Sequence, residues 1–210
     1  MAEVRLYSYW RSSSAWRVRI VLAVKGVAHT IVPVNLLTGA QRDEAYAEVN
    51  RMQQVPTLEV GDFRLTQSLA ILQYLEKQYP EPALVPADPV KAAKMYEICE
   101  IINSGIHPLQ NLAVLNSIEK LGGNKDAWAI ETMAKGFTAL EALLTETPGI
   151  YCIGDQLTWA DACLLPQIYN ARRRNMDLSA YPTIVRLEGD LNALETIAPA
   201  KPDQQPDAVR

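Results

Sequence analysis

Three consecutive serines, Ser12-Ser13-Ser14, stand between a strand-like stretch, residues 4–10, and a helix-like stretch that begins near Ser14 and continues through Ala15-Trp16-Arg17-Val18-Arg19. The first turn of a helix presents backbone N–H groups that have no partner within it, and it carries the positive end of the helix dipole. Serine hydroxyls and the basic residues Arg11, Arg17 and Arg19 crowd the same turn. Residues of these types at this spacing hold an anion, and a thiolate is one such anion.

Other segments carry polar chemistry with more than one reading. Val55-Pro56 precedes strand-like Thr57-Leu58. Proline there donates nothing to the ladder, so it is either an ordinary trans edge residue or a cis turn that leaves the Val55 N–H and C=O to pair with an extended peptide. Gln67-Ser68 opens a helix, and Ser68 either caps it or joins Gln67 in taking a ligand carboxylate. Thr158-Trp159-Ala160-Asp161 matches a capping box with Asp for the usual Glu or Gln, which is a folding device. In Arg172-Arg173-Arg174 a solvated face and the helix C-terminus account for two of the three charges, leaving one for a substrate carboxylate. His107-Pro108, followed by Gln110-Asn111, opens a helical run, where a lone histidine reads as a capping or packing residue rather than a general base.

The elements that must position these residues fall into two classes. Strand-like 4–9, helix 15–25 ended by Gly26, strand-like 29–34, a short helix within 38–48, a hairpin of 57–60 and 63–65 around Gly61-Asp62, and helix 68–79 run in the order βαβ, short helix, ββα. That order predicts a mixed four-stranded sheet with helices on its faces over residues 1–80. Pro80, Pro82, Pro86 and Pro89 mark a linker at 81–89. Residues 90–210 show no strand signal; helices are expected at 90–104, 108–121, 125–144, 158–171 and 183–194, with a surface tail from Pro199. The fold class is α/β followed by all-α.

Composition narrows the function. The 210 residues are 49% hydrophobic and 21% charged with a net charge of −4, which is ordinary for a globular protein and offers nothing to nucleic acid or an anionic membrane. The N-terminus lacks the pattern of a signal peptide, and no apolar run approaches the ~20 residues that span a bilayer. Three cysteines, Cys99, Cys152 and Cys163, and two histidines, His29 and His107, stand at no metal-binding spacing. An odd cysteine count without a disulfide framework points to a reducing compartment, the cytoplasm.

Taken together, residues 7–26, 50–60, 65–76, 105–115, 149–167 and 170–184 resemble the zeta-class glutathione transferases, the maleylacetoacetate isomerase family. The resemblance covers nearly the whole chain. It implies a thioredoxin-like N-terminal domain, an all-helical C-terminal domain, a homodimer and glutathione as cofactor. It implies a cis Pro56 with Val55 pairing with the cysteinyl backbone of glutathione, Gln67 and Ser68 at its γ-glutamyl carboxylate, and Gln41 near its other end. His107, Gln110 and Asn111 fall in a segment bordering the site, and Arg11 and Arg173 fall where related isomerases hold substrate carboxylates. Ser12, Ser13 and Ser14 surround the sulfur, with Ser12 the donor, Ser13 beside it and Arg17 adding positive potential. The implied reaction is reversible addition of the glutathione thiolate to the cis double bond of a small dicarboxylate-like substrate, converting maleylacetoacetate to fumarylacetoacetate as in the breakdown of tyrosine and phenylalanine. The same thiolate also suits maleylpyruvate or small α-haloacids, and a non-catalytic module of the same fold is the alternative of another class. One departure stands out: Ser14 occupies the place of the family's usual loop cysteine, so this loop cannot form a mixed disulfide with glutathione.

Overall fold

The computed structural model describes residues 2–209. They form two compact units, Met1–Ala83 with Leu194–Arg210, and Leu84–Ala193.

The first unit is built on a four-stranded sheet of order β2-β1-β3-β4. Strand β1 (Val4–Ser8) pairs in parallel with β2 (Thr30–Pro33), and antiparallel with β3 (Thr57–Val60), which pairs antiparallel with β4 (Phe63–Thr66). Along β1 the side chains of Val4, Leu6 and Ser8 are buried while those between them are not, the period of two expected of a strand. Helix α1 (Ser13–Val24) crosses from β1 to β2 and ends at Gly26, whose φ of 62° is the left-handed conformation that glycine adopts without penalty. A short helix, α2 (Glu44–Ala47), precedes β3, and α3 (Ser68–Gln78) follows β4. Leu6, Val18, Val21, Leu22, Leu58, Ile71, Leu72 and Leu75 are all fully buried, so sheet, α1 and α3 share one apolar core. Lys25, which caps α1, pairs with Glu76 at 3.0 Å and donates to the carbonyls of Tyr79 and Pro82, tying down the end of α3.

Two expectations from the sequence differ here. The tail is not a surface appendage of the helical domain: Ile197, Ala200, Pro202 and Gln205 are buried, and the turn Glu195–Ala200 packs on α1. A Pro-, Asp- and Gln-rich composition carried no periodic signal, yet its few apolar side chains complete the cover of α1. The division of the chain therefore falls after Ala83 and after Ala193, whereas the sequence placed the linker at 81–89 and kept 90–210 together.

The second unit is helical: α4 (Pro89–Glu100), α5 (Leu112–Lys120), α6 (Lys125–Glu146), α7 (Trp159–Arg173) and α8 (Pro182–Asn192). Met95, Phe137, Leu140, Leu164, Ile168, Ile184 and Leu187 bury their side chains completely at its centre. The run expected as one helix at 90–104 ends at Glu100 and continues as a wider π-helical turn, Ile101–Ile106. The helix expected at 108–121 is broken: His107–Gln110 is a tighter 3₁₀ turn, and α5 starts only after Asn111. No helix among the described residues is long and apolar enough to cross a membrane.

Candidate active site

In the first unit the site is organised by two helix N-termini that lack their own carboxylate. Helix α1 has no acidic residue in its first turn and is capped by Ser12, whose Oγ accepts the Ala15 N–H at 3.2 Å. Helix α3 likewise has no acidic residue in its first turn and no side-chain cap. Both ends therefore keep unneutralised dipole potential.

Around Ser12 the hydroxyls form a directed chain. Ser14 Oγ donates to the Val55 carbonyl at 3.0 Å, and Ser12 Oγ lies 3.2 Å from Ser14 Oγ. A hydroxyl has one proton. Ser14 has committed its own to Val55, so in the Ser12–Ser14 pair Ser12 is the donor. The chain then runs from Ala15 N–H to Ser12, to Ser14, to Val55 C=O, each link polarising the next. Ser12 is half-buried, whereas Ser13 is buried, so of these two neighbours Ser12 is the one open to a ligand. The bond to Ser14 also corrects the expectation of an idle Val55 carbonyl: one of its lone pairs is used within the fold.

Val55-Pro56 is a cis peptide bond. The residues before it are held by groups that carried no signal in the sequence. Tyr46 Oη and Asn50 Nδ2 both donate to the Gln54 carbonyl, at 2.6 and 2.7 Å, and both also reach Thr57 Oγ1 at 3.2 Å. Burial pushes the Tyr46 phenol upward, with the bonds to Thr57 and Asn50 opposing it.

At α3 the cap is Gln67 rather than Ser68, and Ser68 is the first helical residue. Gln67 adopts φ 70°, ψ 114°, a strained conformation for a side chain with a Cβ. Ser68 Oγ accepts from Arg17 Nη1 at 3.2 Å, so its own proton is available to an acceptor. Arg17 is fully buried. Its guanidinium thus lies behind Ser68, where it supports a negative group at the α3 end. This differs from the place near the sulfur that the sequence suggests for it. Gln41 stands in a short 3₁₀ turn, and its Oε1 is buried without a hydrogen-bond partner.

Arg11, half-buried, places its guanidinium 4.7 Å from the Trp10 ring and donates to Tyr9 Oη at 3.1 Å. Stacking of this kind holds a cation without neutralising it. Arg19, which the sequence groups with the basic residues of the loop, is buried and faces inward. Burial pulls its guanidinium down to about 9, with Asp207 opposing.

In the second unit, His107 and Gln110 lie on one 3₁₀ turn and Asn111 directly follows it. Asn111 Oδ1 accepts the Val114 N–H at 3.0 Å, so its carbonyl end serves as the cap of α5. Gln110 is buried and donates to Gln167 Oε1 at 2.5 Å. Within the arginine triplet, Arg172 forms a bidentate pair with Glu188, Arg174 pairs with Asp126, and Arg173 stacks over Tyr169 at 5.8 Å. Thr158 and Asp161 close the capping box of α7, and the Asp161 carboxylate accepts from Thr158 N, Thr158 Oγ1 and Cys152 N. Cys99, Cys152 and Cys163 are all buried thiols.

The model of the glutathione S-transferase N-terminal domain matches residues 2–77, and that of the C-terminal domain matches residues 116–195. The chain is similar to maleylacetoacetate isomerase of Mus musculus, 48% identical over 204 residues that make up 96% of this chain and 94% of the relative. Among solved structures it is similar to a bacterial maleylpyruvate isomerase described as a zeta-class glutathione S-transferase, with a TM-score of 0.95 and 36% identity over 98% of this chain and 100% of that one. It is similar also to maleylacetoacetate isomerase of Anaeromyxobacter dehalogenans, with dicarboxyethyl glutathione and citrate bound in the active site, at a TM-score of 0.90 and 44% identity over 99% and 94% of the two chains.

Proposed function

Because the chain belongs to the zeta class of the glutathione transferases, the maleylacetoacetate isomerase family, we propose that it is a glutathione-dependent cis–trans isomerase that converts maleylacetoacetate to fumarylacetoacetate. The observation that carries the reading is the directed hydroxyl chain at the open N-terminus of α1, which suits one negatively charged atom beside Ser12. The donor set fits glutathione. Ser68 and the uncapped first turn of α3 suit its γ-glutamyl carboxylate, the backbone of Val55 suits its cysteinyl amide, and the Gln41 Oε1 acceptor has no partner within the protein. A relative with dicarboxyethyl glutathione bound in its active site supports a dicarboxylate-like substrate.

Glutathione, when bound, supplies a thiolate that adds reversibly to the cis double bond, so that the bond can rotate. Ser12 turns its proton from Ser14 Oγ toward the sulfur. A free thiol has a pKa of about 8.5, and lowering it by roughly two units, about 2.7 kcal/mol, makes the thiolate dominant at neutral pH. The end of α1 contributes potential to the same point. Arg17 keeps Ser68 oriented and offsets the γ-glutamyl charge. Arg11 and Arg173 hold substrate carboxylates, each guanidinium standing over an aromatic ring, Trp10 and Tyr169 respectively. His107 and Asn111 take bordering roles, with Asn111 offering the amide nitrogen left over from its cap. A cytoplasmic homodimer belongs to the same reading; three buried thiols with no disulfide support the compartment.

Initial rates on maleylacetoacetate, maleylpyruvate and chloroacetate, each with and without glutathione, test this. Isomerisation of maleylacetoacetate that requires glutathione and exceeds the other two activities is expected. Faster turnover of maleylpyruvate moves the assignment to that substrate, and a folded protein that neither binds immobilised glutathione nor turns over any of the three is a non-catalytic module.

A further inference from the structure

The tail of the first unit reaches back to the loop that carries Ser12, and its contacts there are polar and specific. Asp207 Oδ2 accepts the Trp10 N–H at 3.0 Å. Arg19, buried beneath the loop, donates to the Trp10 carbonyl at 2.9 Å, to the Tyr9 carbonyl at 3.3 Å and to Ser8 Oγ at 2.9 Å. Its Nε donates to the Ala200 carbonyl of the tail at 3.0 Å. The backbone at residues 9 and 10 is thus gripped from both polarities, its N–H by a carboxylate and its carbonyls by a guanidinium. The same Tyr9 carbonyl accepts the Ser12 N–H at 2.9 Å, so the grip passes directly to the cap of α1. Arg11, one residue on, stacks over Trp10.

The tail is itself anchored. Gln205 Nε2 donates to the carbonyls of Pro199 and Lys201, both at 2.9 Å, and Ile197 and Ala200 are buried. A side chain that fixes a loop through a charge-assisted bond of this length does so only if the segment bearing it is held.

From these contacts we infer that the C-terminal tail is a strap for the sulfur-activating loop, with Asp207 and Arg19 as positioning residues that set where the Ser12 hydroxyl and the Arg11 guanidinium stand. The inference rests on the isomerase reading for its catalytic consequence. Its structural content, that Asp207 orders the loop at Ser12, stands without it. The segments proposed for the glutathione backbone are held separately, by Tyr46 and Asn50 before Val55 and by Arg17 at Ser68. Loosening the strap therefore alters turnover and leaves glutathione affinity nearly untouched.

The test compares the full-length protein with Asp207→Ala and Asp207→Asn. Asparagine keeps an oxygen to accept the Trp10 N–H, whereas alanine removes it. In Asp207→Ala, kcat falls at least ~10-fold, the KM for glutathione stays within ~2-fold, and the Ser12 amide exchanges with deuterium at least ~10-fold faster while Leu72 and Leu75 of α3 keep their protection. Asp207→Asn recovers most of the turnover and of the protection. Unchanged Ser12 exchange in Asp207→Ala overturns the strap, as does a loss shared equally by both variants or accompanied by exposure of α3. Exchange is read without turnover. A wild-type protein that fails to isomerise in the presence of glutathione therefore refutes the assigned reaction, while the Ser12 exchange still decides the strap.

Discussion

Helices α1 and α7 begin with the same device, a hydroxyl side chain at the cap, and use it in opposite ways. At α7 the cap Thr158 and the carboxylate of Asp161 are each about 1% exposed, and Asp161 takes up the Thr158 N–H, the Thr158 hydroxyl and the Cys152 N–H. The helix end is neutralised from within and sealed. At α1 no carboxylate stands in the first turn, the cap hydroxyl is half-buried, and its proton rests on a second hydroxyl that can release it. A helix end that carries its own anion holds the fold together; one left without an anion can receive one.

Replacing the anion at the sealed end should have the largest effect. Asp161→Ala strands several buried donors, a loss of about 3 kcal/mol even after the cost of burying the carboxylate is returned. Denaturant unfolding should show it, while turnover per folded molecule stays within ~2-fold. An Asp161→Ala protein of full stability would erase the distinction between the two ends. At the open end the expectations reverse. Ser12→Ala removes the donor proposed for the sulfur and should lower kcat about 100-fold, with a stability loss of only ~1 kcal/mol for the cap. The ultraviolet absorbance of the bound thiolate should titrate at higher pH in that variant. If Ser13→Ala loses more turnover than Ser12→Ala, the donor is Ser13. Ser14→Ala, which leaves the Ser12 proton without its resting place and the Val55 carbonyl without its donor, should cost ~10-fold in kcat.

The smallest effect concerns pH. Burial raises the Asp161 pKa above 3.8, against the opposing bonds from Cys152 and Thr158. The folded state therefore holds that proton more tightly than the unfolded chain. The stability this adds is complete below 3.8 and is lost as pH rises through the elevated folded value. The stability of the wild type relative to Asp161→Asn should accordingly decline over that interval, by less than the Asp161→Ala loss. A difference independent of pH would mean that the carboxylate titrates as it does in the unfolded chain.

Much of this was legible beforehand because it is local. The strand-like run at residues 4–9, the glycine that ends α1 and the Thr158–Asp161 spacing each depend on residues a few positions apart, whereas Arg172 and Arg174 find their carboxylates 16 and 48 residues away. The sequence also set the serines at a helix start, since strand and helix signals meet there. What it placed less well were long-range partners. In the sequence Arg17 and Arg19 read alike, as basic residues of the serine loop; one lies behind Ser68, 51 residues on, and the other binds a carbonyl 181 residues away. Asn50 and Tyr46 gave no sign of holding Gln54, because a buried amide or phenol has no periodic signature.

The sequence by itself determined the two classes of unit, the helix ends and the absence of a thiol from the serine loop, because propensity, spacing and residue type act within a turn or two of the chain. Only the tertiary structure decided which serine is open, which carbonyl Ser14 engages, that Gln67 rather than Ser68 caps α3, and that the tail returns to the loop. Those depend on where buried polar groups find partners once the apolar core has closed, and a desolvated donor is satisfied by whatever acceptor lies within hydrogen-bond reach, however distant in sequence.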